Sequence, residues 1–225
     1  MIDAHALNIL THVATGGLAL LIGLLPLFSR KGGPLHLWSG RATAGLGLMV
    51  LFSAALGVIL FQPPAPLVAA TLTAGYQYLS GLRSLSLTRR GPRLPDTLLA
   101  ILGLGLALLV AVQMGQGSAS WTPAIGYTTI GYLLTMTVYD LSRPLWVGVW
   151  YRRVRPLDHG VKMIGFYFAM LSAASGNLLE AWQPLSQVLP SAIGVAMMVG
   201  FVIWYSLHPV RPGPVPLPGE PGLIG

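Results

Sequence analysis

Histidine and aspartate residues cluster at the ends of the apolar stretches of this sequence, and these residue types bind metal ions and transfer protons. The cluster comprises His36, Asp140, Asp158, His159 and His208. Imidazole and carboxylate groups together can bind a divalent metal ion, and two histidines can hold a haem iron. Helix capping and pairing with nearby arginines explain the same residues without a cofactor. The sequence therefore leaves three alternatives open: haem, a divalent metal ion, or a structural role.

A second set of polar residues lies toward the opposite ends of the stretches. It comprises His12, Gln113, Asn177 and Glu180. If their helices are neighbours, these side chains form an outward-facing ligand pocket. Histidine titrates near physiological pH, which suits proton coupling. The alternative is a structural histidine and a glutamate exposed at the membrane interface.

Established catalytic signatures are missing from the chain. There is no HExxH, no GxSxG, no Walker A and no Rossmann glycine motif. Cysteine is absent, so disulfides, thiolate metal sites and a cysteine nucleophile are excluded. The sequence therefore favours a protein that is not an enzyme, and it names no reaction.

Composition places these residues in a membrane. Of 225 residues, 54% are hydrophobic and only 8% are charged, whereas soluble domains have about 25% charged residues. A membrane-spanning helix needs roughly 20 apolar residues, and we count seven such stretches. They run over about 7–28, 37–60, 65–85, 97–114, 125–139, 161–179 and 188–207. The predicted fold is an all-α bundle of seven transmembrane helices. Asp96 is predicted as the N-cap of the fourth and Asp158 as the N-cap of the sixth, and Pro190 falls in the first turn of the seventh.

The basic residues predict the orientation of this bundle. All 13 lie in the links after the first, third and fifth stretches, in the ends of the stretches that border these links, or after the last stretch; they are Arg30, Lys31, Arg41, Arg83, Arg89, Arg90, Arg93, Arg143, Arg152, Arg153, Arg155, Lys162 and Arg211. Cytoplasmic loops retain Lys and Arg, so the N-terminus is predicted outside and the C-terminus in the cytoplasm. Because the charge of +7 is spread over these links, the expected partner is the lipid bilayer and not nucleic acid.

Tryptophan positions and the chain end complete the domain prediction. Indole rings prefer the headgroup level, and none of the six tryptophans falls in the middle of a stretch. The segment 145–154 mixes Trp, Tyr and Arg, which predicts a short amphipathic segment along the inner interface. Residues 1–208 are predicted to form the transmembrane domain, and residues 209–225 a Pro/Gly-rich cytoplasmic tail.

Two motifs carry a resemblance to a known family. The first is HVATGG, starting at His12; the second is KGGPLHLWSGR, from Lys31 to Arg41. With a later YQYLSGLRSL and DHGVKMIGFYFAMLSAASGN, the chain resembles a family of uncharacterised bacterial multi-helix membrane proteins. The resemblance implies a helical membrane bundle and carries no established activity. It marks six positions of interest, namely His12, His36, Arg41, Arg83, His159 and Asn177.

Three functional hypotheses follow from these observations. The first is an accessory or scaffold subunit of a complex in the bacterial inner membrane, because catalytic motifs are missing and small residues recur every four positions on the helices. These pairs are Ala19 with Gly23, Gly40 with Ala44, Gly103 with Ala107, and Ala196 with Gly200. The second is a transporter or sensor for a small molecule or ion, with the pocket at His12, Asn177 and Glu180. The third is a redox protein that holds haem or metal at His36 and His159.

Overall fold

A computed structural model describes residues 3–117 and 122–208 of the chain. These residues form long helices joined by short links. The helices are α1 (Ala4–Phe28), α2 (Pro34–Phe61), α3 (Ala65–Ser86), α4 (Leu94–Gly115), α5 (Pro123–Ser142), α6 (Arg155–Leu178) and α7 (Leu185–Leu207). Within the described ranges the only β pairing is an isolated bridge between Thr88 and Gly91. The predicted tail lies outside the described residues.

The link between α5 and α6 is itself helical. It consists of a 3₁₀ turn at Arg143–Trp146, one α-helical turn at Val147–Val149 and a π-helical turn at Trp150–Val154. An amphipathic segment along the membrane interface was predicted here. The link instead packs against the bundle, and the Trp150 side chain is fully buried. A second 3₁₀ turn, Glu180–Trp182, precedes α7.

Four helices are long and apolar enough to cross a membrane, namely α1, α2, α4 and α7. Most of their side chains face outward, and large apolar residues such as Leu21, Phe52 and Leu102 are more than 60% exposed. A bilayer accepts such a surface because lipid is itself apolar. The described chain is thus an all-α protein with helices that can span a membrane.

Proline marks the start of most of these helices. A proline occupies the first or second helical position of five of them: Pro34, Pro66, Pro95, Pro123 and Pro156. Proline is tolerated there because the first amides of a helix have no intrahelical acceptor. Glycines with positive φ make the turns at Gly32 and Gly91 (φ 76° and 85°), a conformation that costs glycine little.

Three boundary predictions were wrong. Helix α4 begins at Leu94, so Asp96 is its third residue and not its N-cap. Helix α6 begins at Arg155, so Asp158 lies inside the helix and does not cap it. Pro190 was expected in the first turn of the last helix, but α7 begins at Leu185 and Pro190 lies in its second turn. In each case the helix begins before the first residue of the predicted apolar stretch.

Helices α3 and α6 form the centre of the bundle. Consecutive helices pack as the pairs α1–α2, α4–α5 and α6–α7, and α3 packs along α6. The C-terminal end of α3 meets the N-terminal end of α6, since the Gly81 carbonyl accepts a hydrogen bond from His159 Nδ1 at 2.9 Å. The two central helices are therefore antiparallel.

Small residues bring these helices together at some of the expected positions. A Cβ atom added at Gly103 of α4 would lie 2.7 Å from Thr137 Cγ2 and 3.1 Å from the Tyr76 ring. The predicted pair Ala19 and Gly23 is likewise buried in α1. By contrast, Ala196 and Gly200 on α7 are exposed.

Candidate functional site

Four charged side chains are buried where the link after α5 meets α6. They are Asp140, Arg143, Asp158 and Lys162, with exposed fractions of 4%, 2%, 4% and 0%. We call these four residues the charge network. Two carboxylates and two basic groups make it electrically neutral. Charged residues are almost never this deeply buried unless they are paired.

Asp140 is the most heavily bonded member of the charge network. Its Oδ1 accepts a hydrogen bond from Lys162 Nζ at 2.6 Å and lies 2.9 Å from Arg143 Nη2. Its Oδ2 accepts a hydrogen bond from the Tyr76 hydroxyl at 2.6 Å. Three donors from three segments of the chain therefore converge on one carboxylate.

Asp158 is held by the same two basic groups through longer contacts. Lys162 Nζ lies 2.9 Å from its Oδ1, and Arg143 Nη1 lies 3.4 Å from its Oδ2. The Tyr76 hydroxyl donates to Asp140 and not to Asp158. Within the described residues, Asp158 is therefore held by fewer and longer contacts than Asp140.

Local sequence spacing positions the charge network. Asp158 and Lys162 are four residues apart on α6, and Asp140 and Arg143 are three apart where α5 ends. Residues at these spacings share one face of a helix. Lys162 is the eighth residue of α6, about 10 Å along the axis from the first at 1.5 Å per residue. The network therefore lies inside the bundle and not at the tip of a loop.

An aromatic shell covers the charge network. Lys162 Nζ lies 5.6 Å from the centre of the Tyr139 ring, and the Arg143 guanidinium lies 5.5 Å from the Trp150 ring. Trp150 Nε1 donates to the Tyr139 hydroxyl at 3.0 Å. The π-helical turn that starts at Trp150 places its indole over the network. The rings exclude water and attract the two cations.

Buried polar groups continue from the charge network toward the middle of α3. Gln77 and Tyr132 approach each other beside Gly165, where an added Cβ would lie 3.4 Å from Gln77 Nε2 and 3.5 Å from the Tyr132 hydroxyl. Within the described residues, Gln77 Oε1 and the Tyr132 hydroxyl lack a hydrogen bond of ordinary geometry. A buried polar atom without a partner costs free energy. This position is therefore suited to bind a polar group that can enter and leave.

The three histidines of the predicted cluster each donate a hydrogen bond from Nδ1 to a main-chain carbonyl group. His36 pairs with Pro26 O at 3.1 Å, His159 with Gly81 O at 2.9 Å and His208 with Trp204 O at 3.1 Å. As donors at Nδ1 they satisfy carbonyls near helix ends. In the part of the chain that the structure describes, no group of three or more His, Asp or Glu residues is placed to hold a metal ion. The two aspartates of the cluster pair instead with Arg143 and Lys162.

The four residues of the predicted outer pocket lie in different surroundings. His12 Nδ1 lies 2.9 Å from Ser53 Oγ, between α1 and α2. Gln113 lines a groove of about 280 Å³ between α3 and α4. Asn177 is exposed and bonds to Ala173 O of its own helix at 2.8 Å. Glu180 is also exposed, in the turn before α7.

Arg83 and Asp96, two further predicted positions, join neighbouring helices. Arg83 forms a two-pronged ion pair with Asp96, which includes a contact from Nη2 to Oδ2 of 3.1 Å. Asp96 Oδ2 also accepts the Arg93 amide at 2.8 Å, as a carboxylate at the third helical position does in a capping box. This pair fastens the start of α4 to the end of α3. Arg41 is exposed on α2.

Sequence reasoning missed part of the charge network. In the sequence, Arg143 and Lys162 indicate only the orientation, and neutral polar residues in mid-helix such as Tyr76 and Gln77 indicate only contacts between helices. The sequence feature that could have revealed the charge network is the spacing of opposite charges, Asp140 with Arg143 and Asp158 with Lys162. That spacing predicts pairing on one helix, but it does not predict that the two pairs meet.

Comparison of the chain with protein-family models, with curated proteins and with solved structures gives no match.

Proposed function

We propose that this protein is a proton-coupled transporter of a small solute, with the charge network as its proton-binding element. The observation that carries the proposal is the burial of two carboxylates and two basic groups inside a bundle that can span a membrane. Ionisable groups at membrane depth are costly, and they commonly mark ion pathways and proton relays. A purely structural cross-link needs no charges, because well-packed apolar residues often stabilise as much as a buried ion pair.

The network is suited to binding a proton because its neutrality depends on both carboxylates. When Asp158 takes up a proton, Arg143 and Lys162 face a single negative charge on Asp140. The buried site then has a net positive charge, which is expensive in a medium of low polarity. A rearrangement of α5 against α6 that hydrates one basic group relieves this cost. Protonation is thereby coupled to helix movement.

Hydroxyl and amide groups supply a path toward this element. The Tyr76 hydroxyl already touches Asp140, and the Tyr132 hydroxyl and Gln77 amide lie deeper in the bundle beside Gly165. Hydroxyl groups both donate and accept hydrogen bonds, so they can pass a proton along a chain. The path proposed here runs from Tyr132 through Tyr76 to the two aspartates.

The proposal includes the full predicted topology, with seven spans in the bacterial inner membrane and the N-terminus outside. The three long helices that are less apolar, α3, α5 and α6, bury several of their polar residues inside the bundle; examples are Gln77, Thr137 and Lys162. Their polar content therefore does not oppose a transmembrane position. Membership of the bacterial family named above remains part of the same proposal.

Charge displacement in proteoliposomes tests the proton-binding element without knowledge of the solute. Liposomes that contain the purified protein are adsorbed on a solid-supported membrane and exposed to a rapid pH change. We expect the wild type to give a transient current that empty liposomes do not give. Asp158→Asn should abolish it, whereas Asp96→Asn, in the other acid–base pair, should preserve it.

Two results would contradict the proposal. One is a wild-type current equal to that of empty liposomes, and the other is a full current from Asp158→Asn. Tyr76→Phe provides a second test in case Asp158→Asn fails to fold, because it removes only a single hydrogen bond. We expect it to move the same total charge more slowly, because the path loses a hydroxyl, and to shift the pH at which half the charge moves. An unchanged midpoint would also count against the path through Tyr76.

An accessory subunit is the second candidate, and the surface of α7 favours it. Ala192, Ala196 and Gly200 are exposed at intervals of four residues, and a Cβ added at Gly200 would meet nothing within 4 Å. Small residues at this interval allow close approach of another helix. Gly200→Leu should then release a partner during purification in mild detergent. Recovery of the same monomer from wild type and variant would oppose this role.

A further inference from the structure

Two links that meet at the end of the bundle where α3 and α5 terminate carry six arginines between them. We call these six residues the arginine surface; its members are Arg89, Arg90, Arg93, Arg152, Arg153 and Arg155. All are exposed except Arg155, which is half-buried. In the described residues every ion pair involves Arg83, Arg143 or Lys162 as the basic partner. The arginine surface therefore has no carboxylate of its own.

A single tyrosine holds two of these arginines together. The Arg89 guanidinium lies 5.8 Å from the centre of the Tyr151 ring, and the Arg155 guanidinium lies 5.3 Å from it. Arg155 also donates to the main-chain carbonyl of Leu85, which fixes it against the end of α3. Two like charges gathered on one ring repel each other unless an anion lies near them.

The fold holds the two links in contact. The turn after α3 closes with a hydrogen bond from the Gly91 amide to Thr88 O at 3.0 Å. A Cβ added at Gly91 would lie 3.0 Å from Val147 Cγ2, and Gly91 has a φ of 85°. Glycine at position 91 thus permits both the turn and the close approach to Val147. This contact fixes the two links that carry the arginine surface against each other.

Exposed apolar side chains border the arginine surface. Leu94 begins α4 and is 71% exposed, and Leu145 in the link before α6 is 88% exposed. A free phosphate ion has no apolar part that could contact these leucines. A phospholipid combines an anionic headgroup with acyl chains, so it matches both the arginines and the leucines.

We infer that the arginine surface binds the phosphate of an anionic phospholipid headgroup, with the acyl chains along Leu94 and Leu145. Guanidinium groups pair with phosphate through two parallel hydrogen bonds, and basic sites at the membrane surface bind anionic lipid headgroups. The site is separate from the charge network, so it stands whether or not the protein moves protons.

Lipid-dependent thermal stability of the full-length protein tests this inference. Purified protein in neutral detergent is titrated with phosphatidylglycerol, with phosphatidylcholine or with inorganic phosphate. We expect stabilisation by phosphatidylglycerol only. In the variant Arg89→Gln/Arg153→Gln, the concentration needed for half of that stabilisation should rise about tenfold or more, since each arginine near the surface contributes about 1 kcal/mol.

The matched control removes two exposed basic residues from the first link and the start of α2, Arg30→Gln/Arg41→Gln. It should keep the wild-type response to phosphatidylglycerol. An equal loss in the control would show general charge attraction and overturn the site. Equal stabilisation by inorganic phosphate would overturn the assignment to lipid. If the glutamine variant fails to fold, Arg89→Lys/Arg153→Lys keeps the charges and should weaken the response less; an unchanged response would contradict the two-pronged geometry.

Discussion

The Tyr76 hydroxyl donates a 2.6 Å hydrogen bond to Oδ2 of Asp140, although 64 positions separate the two residues in the chain. Tyr76 lies in the middle of α3, whereas Asp140 lies near the end of α5. Lys162 of α6 contacts the same carboxylate through Oδ1. One carboxylate therefore joins three helices, and the stability of the bundle should depend on it.

Removing the Tyr76 hydroxyl should destabilise the protein. A hydrogen bond to a charged group contributes about 1.5–3 kcal/mol, against about 0.5–1.5 kcal/mol for a neutral one. Tyr78→Phe is the matched control, because the Tyr78 hydroxyl donates to the neutral carbonyl of Ala44 at 2.6 Å. Unfolding in detergent should show a larger loss for Tyr76→Phe than for Tyr78→Phe. The reverse order would contradict the role given to Asp140.

The positions of the long helices could be predicted from the sequence, because a helix that spans a membrane needs a long apolar stretch. Of the seven long helices in the described residues, four are long and apolar enough to do so. Each predicted stretch overlaps one long helix, and the errors lie at the helix starts. Leu94 and Arg155 start their helices outside the apolar stretch because proline at the next position favours a helix start. The pattern of apolar residues contains no information about where a proline favours the start of a helix.

The candidate site could be predicted only in part. Asp140 and Asp158 were placed in one cluster at helix ends, and pairing with nearby arginines was one of the three alternatives for that cluster. Their actual partners, Arg143 and Lys162, depend on α6 packing against both α3 and α5. Such packing is fixed by contacts far apart in sequence, such as Gly81 with His159, and no local pattern encodes it.

Loss of one charge should cost more than loss of an opposite pair. Lys162→Met leaves two carboxylates facing Arg143 alone, and an uncompensated buried charge costs about 3–5 kcal/mol. The double variant Lys162→Met/Asp158→Leu leaves Arg143 with Asp140, a neutral pair. We expect the double variant to unfold at a higher denaturant concentration than the single one. Additive losses in a double-mutant cycle would mean that Lys162 and Asp158 do not interact.

Close packing at Gly103 should make that position intolerant of a methyl group. A Cβ there would lie 2.7 Å from Thr137 Cγ2, whereas Gly105 on the same helix has nothing within 4 Å. Overpacking of a dense interior costs about 1–3 kcal/mol. Gly103→Ala should therefore lower the unfolding midpoint, and Gly105→Ala should leave it unchanged or raise it. Equal behaviour of the two variants would argue against the contact between α4 and α5.

The absence of cysteine from the chain makes the proposed orientation directly testable. Single cysteines are introduced at three exposed link positions, Gln62→Cys, Ser86→Cys and Ala181→Cys. A maleimide that does not cross membranes is then added to intact cells and to permeabilised cells. Positive residues in the link after α3 predict that Ser86→Cys is labelled only after permeabilisation, whereas the other two should react in intact cells. Protection of Ala181→Cys together with labelling of Gln62→Cys would mean that the helices between them cross the membrane an odd number of times, and the seven-span topology would be wrong.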